Sequence, residues 1–177
     1  MKKMILFHSI LVLGGMVSGV IAFFCLPEEQ VLALQQYLLV QMQELTGTAT
    51  LAEAAGRILR ANGMDLIRLY LSGACLAGLP LLLLMLFLKG FSFGFTACFL
   101  LGHSILLLFT RLLYFPLLIG AAALGCRFNL LMLQNRLSSP LRQLLQYTIA
   151  FGGLLLLALL CSYIDGLSCC HYLQQLQ

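Results

Sequence analysis

Charge is what this sequence has least of. Only 9% of its 177 residues are Asp, Glu, Lys or Arg, 62% are hydrophobic, and mean hydropathy is +1.02. A soluble domain carries about 25% charged residues, so a water-soluble fold is excluded. Tryptophan is absent. So are two common enzyme motifs: no P-loop and no H-E-x-x-H is present. No acidic pair sits where it could act on a polysaccharide. There is no C-x-x-C and no Cys/His spacing of the structural zinc kind. Neither a cofactor, a metal nor a nucleic acid is therefore expected, and no catalytic residue is assigned.

The seven cysteines read mainly as small apolar helix residues, since Cys25, Cys75, Cys98, Cys126 and Cys161 lie in or beside apolar runs. Cys169-Cys170-His171 is the one metal-like cluster, and vicinal cysteines cannot easily hold one tetrahedral ion with a neighbouring His. On an extracytoplasmic tail a disulfide there is open, with its pairing unspecified.

What the sequence has is long apolar runs. A helix needs about 20 apolar residues to cross a bilayer. Met4–Leu26 is the first such run. It exceeds the roughly 7–15 residues of a secretory h-region, lacks an A-x-A site, and is taken as a retained span. Gly15 and Gly19 within it have the G-x-x-x-G spacing that lets a second helix approach closely. Pro27-Glu28-Glu29 ends the span. Residues 28–64 are polar enough for an amphipathic helical hairpin, broken at Thr46-Gly47-Thr48 and ending near Asn62-Gly63.

The run from Leu69 to Thr110 is too long for one crossing and right for two. Lys89-Gly90 divides it, giving spans 66–88 and 91–109, with Pro80 kinking the first. Span 112–133 follows, with Pro116 near its start and Arg127 near its end. After the polar turn around Ser138-Ser139-Pro140 comes span 144–164. The expectation is all-α: a polytopic membrane bundle of about five transmembrane helices, one domain over 1–177, with an amphipathic hairpin after the first span.

Five spans place the termini on opposite sides. With the N-terminus cytoplasmic, Lys2, Lys3, Lys89, Arg127, Arg136 and Arg142 lie inside, and Arg57, Arg60, Arg68 and Arg111 outside, a modest positive-inside excess. None of the acidic residues is expected deep in a span.

Few residues could carry chemistry. Lys89 reads first as a helix-end charge snorkelling to cytoplasmic headgroups, and otherwise as a contact with a partner or anionic lipid. Gly90 and Gly94 share a helix face suited to close packing, with Phe91 and Phe95 supplying bulk beside them. His103 and Arg127 are intramembrane polar groups. For His103 a bond to a backbone carbonyl is favoured over a proton relay, and for Arg127 snorkelling. These features suit a scaffold or partner-binding subunit in the plasma membrane, touching lipid and open to self-association. A membrane subunit of a small transporter or permease is the rival, since Pro80, Pro116 and the intramembrane glycines suit mobile helices.

The segment Phe87-Leu-Lys-Gly-Phe-Ser-Phe-Gly-Phe-Thr-Ala-Cys-Phe-Leu100 resembles the hallmark segment of the stage II sporulation protein M family, in which Leu-Lys-Gly-Phe leads into Gly-Phe-Thr. The layout is similar as well: a basic N-terminus, one span, a polar extracytoplasmic segment, then four spans with a Pro-bearing segment, here Pro116. The motif residues are thus Lys89, Gly90, Phe91, Gly94, Phe95 and Thr96. The resemblance implies a non-enzymatic role in endospore engulfment, in the mother-cell membrane at the septum. It implies stage II sporulation proteins D and P, which degrade septal peptidoglycan, as partners, with residues 28–63 as the first place to expect their contact.

Overall fold

The computed structural model describes residues 2–46, 51–75, 78–101, 105–134 and 140–176, in some stretches for the backbone only. Its described residues form seven helices and no strand: α1 (Lys2–Phe24), α2 (Glu28–Thr46), α3 (Leu51–Ala74), α4 (Gly78–Leu101), α5 (Ile105–Leu112), α6 (Tyr114–Leu133) and α7 (Pro140–Leu176).

Proline sets where the helices begin. Pro27 immediately precedes α2, Pro80 and Pro116 lie in the first turns of α4 and α6, and Pro140 is the first residue of α7. A proline lacks the amide hydrogen that the first helical turn leaves unbonded in any case, so it costs little there. Pro80 therefore does not kink a span, as its place inside residues 66–88 suggested; it opens a new helix.

Two boundaries differ from the sequence reading for one physical reason. Asn62-Gly63 does not end the hairpin's second helix, because α3 runs through it to Ala74. Lys89-Gly90 does not divide two spans, because α4 runs through it to Leu101. A glycine inside a helix costs about 1 kcal/mol, and tertiary contacts outweigh that local cost in both places. The chain breaks instead around residue 75, where the Gly78 amide returns to the Cys75 carbonyl at 2.9 Å. Residues 66–88 thus comprise the end of α3 and the start of α4. Residues 91–109 divide between α4 and α5, and α7 extends beyond 144–164 at both ends. The break expected at Gly47-Thr48 lies outside the described residues.

Among the described residues four helical segments are long and apolar enough to cross a membrane: Lys2–Phe24, Gly78–Phe99, Tyr114–Leu133 and Leu141–Ser168. α3 is less apolar and is not one of these four, yet the direction of its neighbours shows that it runs within the same bundle. α1 and α4 run parallel, with Gly15 against Phe91 and Gly19 against Phe95. The chain can enter α4 in the direction of α1 only after returning, and α3 is the return: Asp65 meets Lys89, and Ser72 meets Gly78. α6 runs with α3, because Tyr114 bonds to Asn62 and Gly73 touches Gly125. α7 runs against α3, with Asn62 on Ser162 and Tyr70 on Thr148.

Inward side chains of these helices form one core. Val12, Leu66, Leu69, Leu82, Leu86 and Leu118 are each at most 2% exposed. α3 lies at its centre, packed on α4, α6 and α7. α2, the first turns of α3 and the last turns of α7 extend past the bundle at the end where α1 finishes.

A glycine seam and a buried ion pair in the bundle

The segment 87–100 lies on α4 and works on two faces. Gly90 and Gly94 face α1. A β-carbon on Gly94 would come within 2.8 Å of the Met16 Cα, and one on Gly90 would fall on the Val12 carbonyl. The contact is reciprocal: a β-carbon on Gly15 would sit 3.0 Å from the Phe91 amide nitrogen, and one on Gly19 2.8 Å from that of Phe95. All four glycines are buried. Two four-residue glycine spacings therefore meet, and the α1 and α4 backbones touch directly, the close approach that stabilises helix pairs in lipid. Phe91 and Phe95 stack along α4 at 6.3 Å, and Phe23 meets Phe95 edge-on at 5.6 Å, closing the seam at its upper end.

The second face carries Lys89, Ser92, Phe93 and Thr96, one helix turn apart and turned away from α1. Lys89 Nζ forms an ion pair with Asp65 Oδ2 on α3. Asp65 also receives Arg68 Nη1 at 3.7 Å. The Asp65 side chain is only 7% exposed. Lys89 stands midway along an unbroken apolar helix, so it is not the helix-end charge the sequence suggested, and an acidic residue does lie deep in the bundle. A carboxylate there is tolerable because it is paired.

Above this pair a cavity of about 250 Å³ opens between α3, α4, α6 and α7. Lys89 and Leu118 lie at its inner end, and Ile58, Thr96 and Asp165 line it toward the end where α1 finishes. Asn62 donates to Ser162 Oγ at 2.9 Å, and Tyr114 donates to the Asn62 carbonyl at 2.8 Å. These bonds tie α3, α6 and α7 together at the cavity wall. Arg111 enters it from α5. Phe93 meets Phe115 edge-on at 4.9 Å and forms its apolar side.

A second contact between small residues lies at the opposite end. Gly73 of α3 approaches Gly125 of α6 so closely that a β-carbon on Gly73 would stand 2.6 Å from the Gly125 Cα. Tyr70, Tyr147 and Phe128 stack beside it, with centroids 5.1 and 4.6 Å apart. Buried Asn129 donates to the Cys75 carbonyl where α3 has just ended. His8 of α1 is fully buried, and its Nδ1 lies 2.6 Å from the Met4 carbonyl. The sequence signals for these groups are weak: single glycines, a single Asn and a His near a basic start.

Of the other residues singled out from sequence, Pro116 is exposed in the first turn of α6, and Arg127 is exposed nearly two helix turns before the end of α6. His103 lies outside the described residues. Five cysteines (Cys25, Cys75, Cys98, Cys126 and Cys161) are free. Among the described residues no group of three or more His, Cys, Asp or Glu could hold a metal ion. Chemically, the arrangement can hold two helices backbone to backbone, fix a charge pair in the bundle, and enclose a small polar space beside it.

A family model described as Stage II sporulation protein M matches residues 5–162. No curated protein and no solved structure matches the chain.

Proposed function

The chain thus belongs to the stage II sporulation protein M family, a family of sporulation membrane proteins, and from that premise we propose that it is a non-enzymatic scaffold of the engulfment complex. It anchors septal peptidoglycan hydrolases, stage II sporulation proteins D and P, in the mother-cell membrane. The observation that carries this reading is the family match across residues 5–162. The layout supports it. Most of the described chain is bundle, and what extends beyond is α2 with the adjoining ends of α3 and α7, a short helical platform.

Charge supports an orientation for that platform. Lys2, Lys3 and Arg142 lie toward the end where α1 starts, and Arg127 lies near it. Glu28, Glu29 and Asp165 lie toward the other end, with Arg57, Arg60 and Arg111. Under the positive-inside rule this distribution supports a cytoplasmic N-terminus, with α2 facing the septal wall. The test is co-purification from sporulating cells in mild detergent. The scaffold retrieves peptidoglycan hydrolases, and deleting residues 30–44 abolishes their recovery while the bundle still inserts. Recovery of no wall enzyme would overturn the reading.

A second reading is favoured by one observation, the polar cavity above Lys89. A small transporter subunit would use such a space as a binding site near the midplane. Proteoliposomes separate the two: substrate-dependent flux that Ser92→Leu abolishes supports transport, and its absence leaves the scaffold.

A further inference from the structure

On the outer side of the Asp65–Lys89 pair, α3 and α4 leave a shallow groove of about 490 Å³. Its lining includes Arg57, Arg60, Arg68 and Lys89, with Asp65 as the lone acid. Asp65 is already engaged by Lys89 and Arg68 and is nearly closed off. It can offset one of these charges, so the groove keeps an excess of positive charge.

Position makes that excess informative. Arg57, Arg60, Met64 and Arg68 follow each other at three- and four-residue steps along one face of α3. Arg57 and Arg60 are exposed toward the end where α1 finishes. The Arg68 side chain is 61% exposed one turn below Asp65, level with the middle of α4. Its carboxylate contact, Asp65 at 3.7 Å, is shared with Lys89, so positive charge stays in excess at a depth where charge is costly. The same face is apolar between and beyond the cations: Met64 is 45% exposed and Leu71 56% on α3, and Leu81 and Leu88 are each 51% exposed on α4. A row of cations ending in an outward-facing apolar strip matches an anionic headgroup with its acyl chain below. Basic clefts between transmembrane helices are a common form of lipid site.

We propose that the α3–α4 groove binds an anionic glycerophospholipid, its phosphate held by Arg57, Arg60 and Arg68 and its acyl chain lying along Met64, Leu71 and Leu81. The site differs from the proposed hydrolase platform, although it rests on the same membrane placement. Arg68 chelates the phosphate diester, and bound lipid fixes the tilt of α3 against α4.

The test uses the full chain in detergent, with native mass spectrometry after adding equal amounts of phosphatidylglycerol and phosphatidylcholine of identical acyl chains. Phosphatidylglycerol is expected to be retained in preference. Arg68→Gln should lower that preference about fivefold, the equivalent of about 1 kcal/mol, and Arg57→Gln with Arg60→Gln should lower it similarly. Arg68→Lys should keep most of it, and Arg142→Gln, at the other end of the bundle, should leave it unchanged. Unchanged melting temperatures of the variants show that the fold persists. Equal retention of both lipids, or a preference indifferent to Arg68→Gln, would overturn the proposal. So would displacement of phosphatidylglycerol by millimolar glycerol phosphate, which would mark a free-anion site. Co-purification of an acidic membrane protein lost with Arg68→Gln, without lipid preference, would reassign the groove to a protein partner.

Discussion

Lys89 of α4 and Asp65 of α3 close an ion pair between two helices that the sequence gives no reason to join. Its partners differ in surroundings, the Lys89 side chain being 42% exposed and the Asp65 side chain 7%. Removing Asp65 deprives Lys89 of its carboxylate, and removing Lys89 leaves the enclosed carboxylate with the longer 3.7 Å contact to Arg68.

Lys89→Met should therefore destabilise the bundle by about 1–2 kcal/mol, between the scale of an exposed pair and that of a fully buried one. Lys89→Met combined with Asp65→Leu should recover most of that loss, because an apolar pair of similar volume removes both desolvation costs. Thermal unfolding in one detergent, read for the two single variants and the double variant, checks this. A double variant as unstable as the sum of the singles would show that the ion pair is not the coupling between the sites.

The glycine seam predicts a sharp positional contrast. Gly94→Leu places a side chain on the Met16 backbone and should separate α1 from α4. Gly152→Leu and Gly153→Leu, where a β-carbon meets nothing within 4 Å, should be tolerated. A cysteine pair placed across the α1–α4 contact should crosslink in the native chain and in both Gly152 and Gly153 variants. Its yield should fall severalfold in Gly94→Leu.

Asn129 predicts a smaller effect at the α3–α4 break. Asn129→Leu removes one of two donors to the Cys75 carbonyl, which keeps its bond from the Gly78 amide. The expected loss is about 1–2 kcal/mol, the scale of side-chain hydrogen bonds between membrane helices. Faster proteolysis or hydrogen exchange around residues 70–80 locates it. A loss spread evenly over all helices would point to misfolding instead.

Solvent access predicts which thiols react. In a cysteine-free background, a cysteine at Ser92 or the native Cys161, both on the cavity wall, should react with a membrane-impermeant maleimide added from the extracytoplasmic side. Cys126, buried in the bundle, should not react until the protein is unfolded. Labelling from the cytoplasmic side alone would invert the orientation.

Helix content and membrane character are legible in the chain because apolar length and charge scarcity are one-dimensional properties. Partnership is not. The four-residue spacing of Gly15 and Gly19 marks a small-residue face, as does that of Gly90 and Gly94, but neither pattern names the other as its partner. Boundaries misled where a local stop signal met a tertiary contact. Lys89-Gly90 has the look of a turn because a charge and a flexible residue interrupt an apolar run, yet the charge has a carboxylate waiting and the glycine a backbone to touch. Asp65 looked like a solvent residue because its polar neighbours Asn62 and Arg68 mask that α3 inserts between α4, α6 and α7. The prolines carried usable information, although as helix openings and not as kinks.

The polarity of α3 bears on the order in which the protein can be built. Arg57, Arg60, Asp65 and Arg68 share this one helix, and a charged residue at the centre of a lone inserted helix costs about 2.5–3.5 kcal/mol. Emerging after α1 and before any of its packing partners, α3 has nowhere favourable to go at first. It has to wait at the interface until α4 supplies the ammonium and α6 and α7 close around it. The last element to settle is then the one at the centre, and assembly of the whole bundle hinges on an early segment that is late to enter.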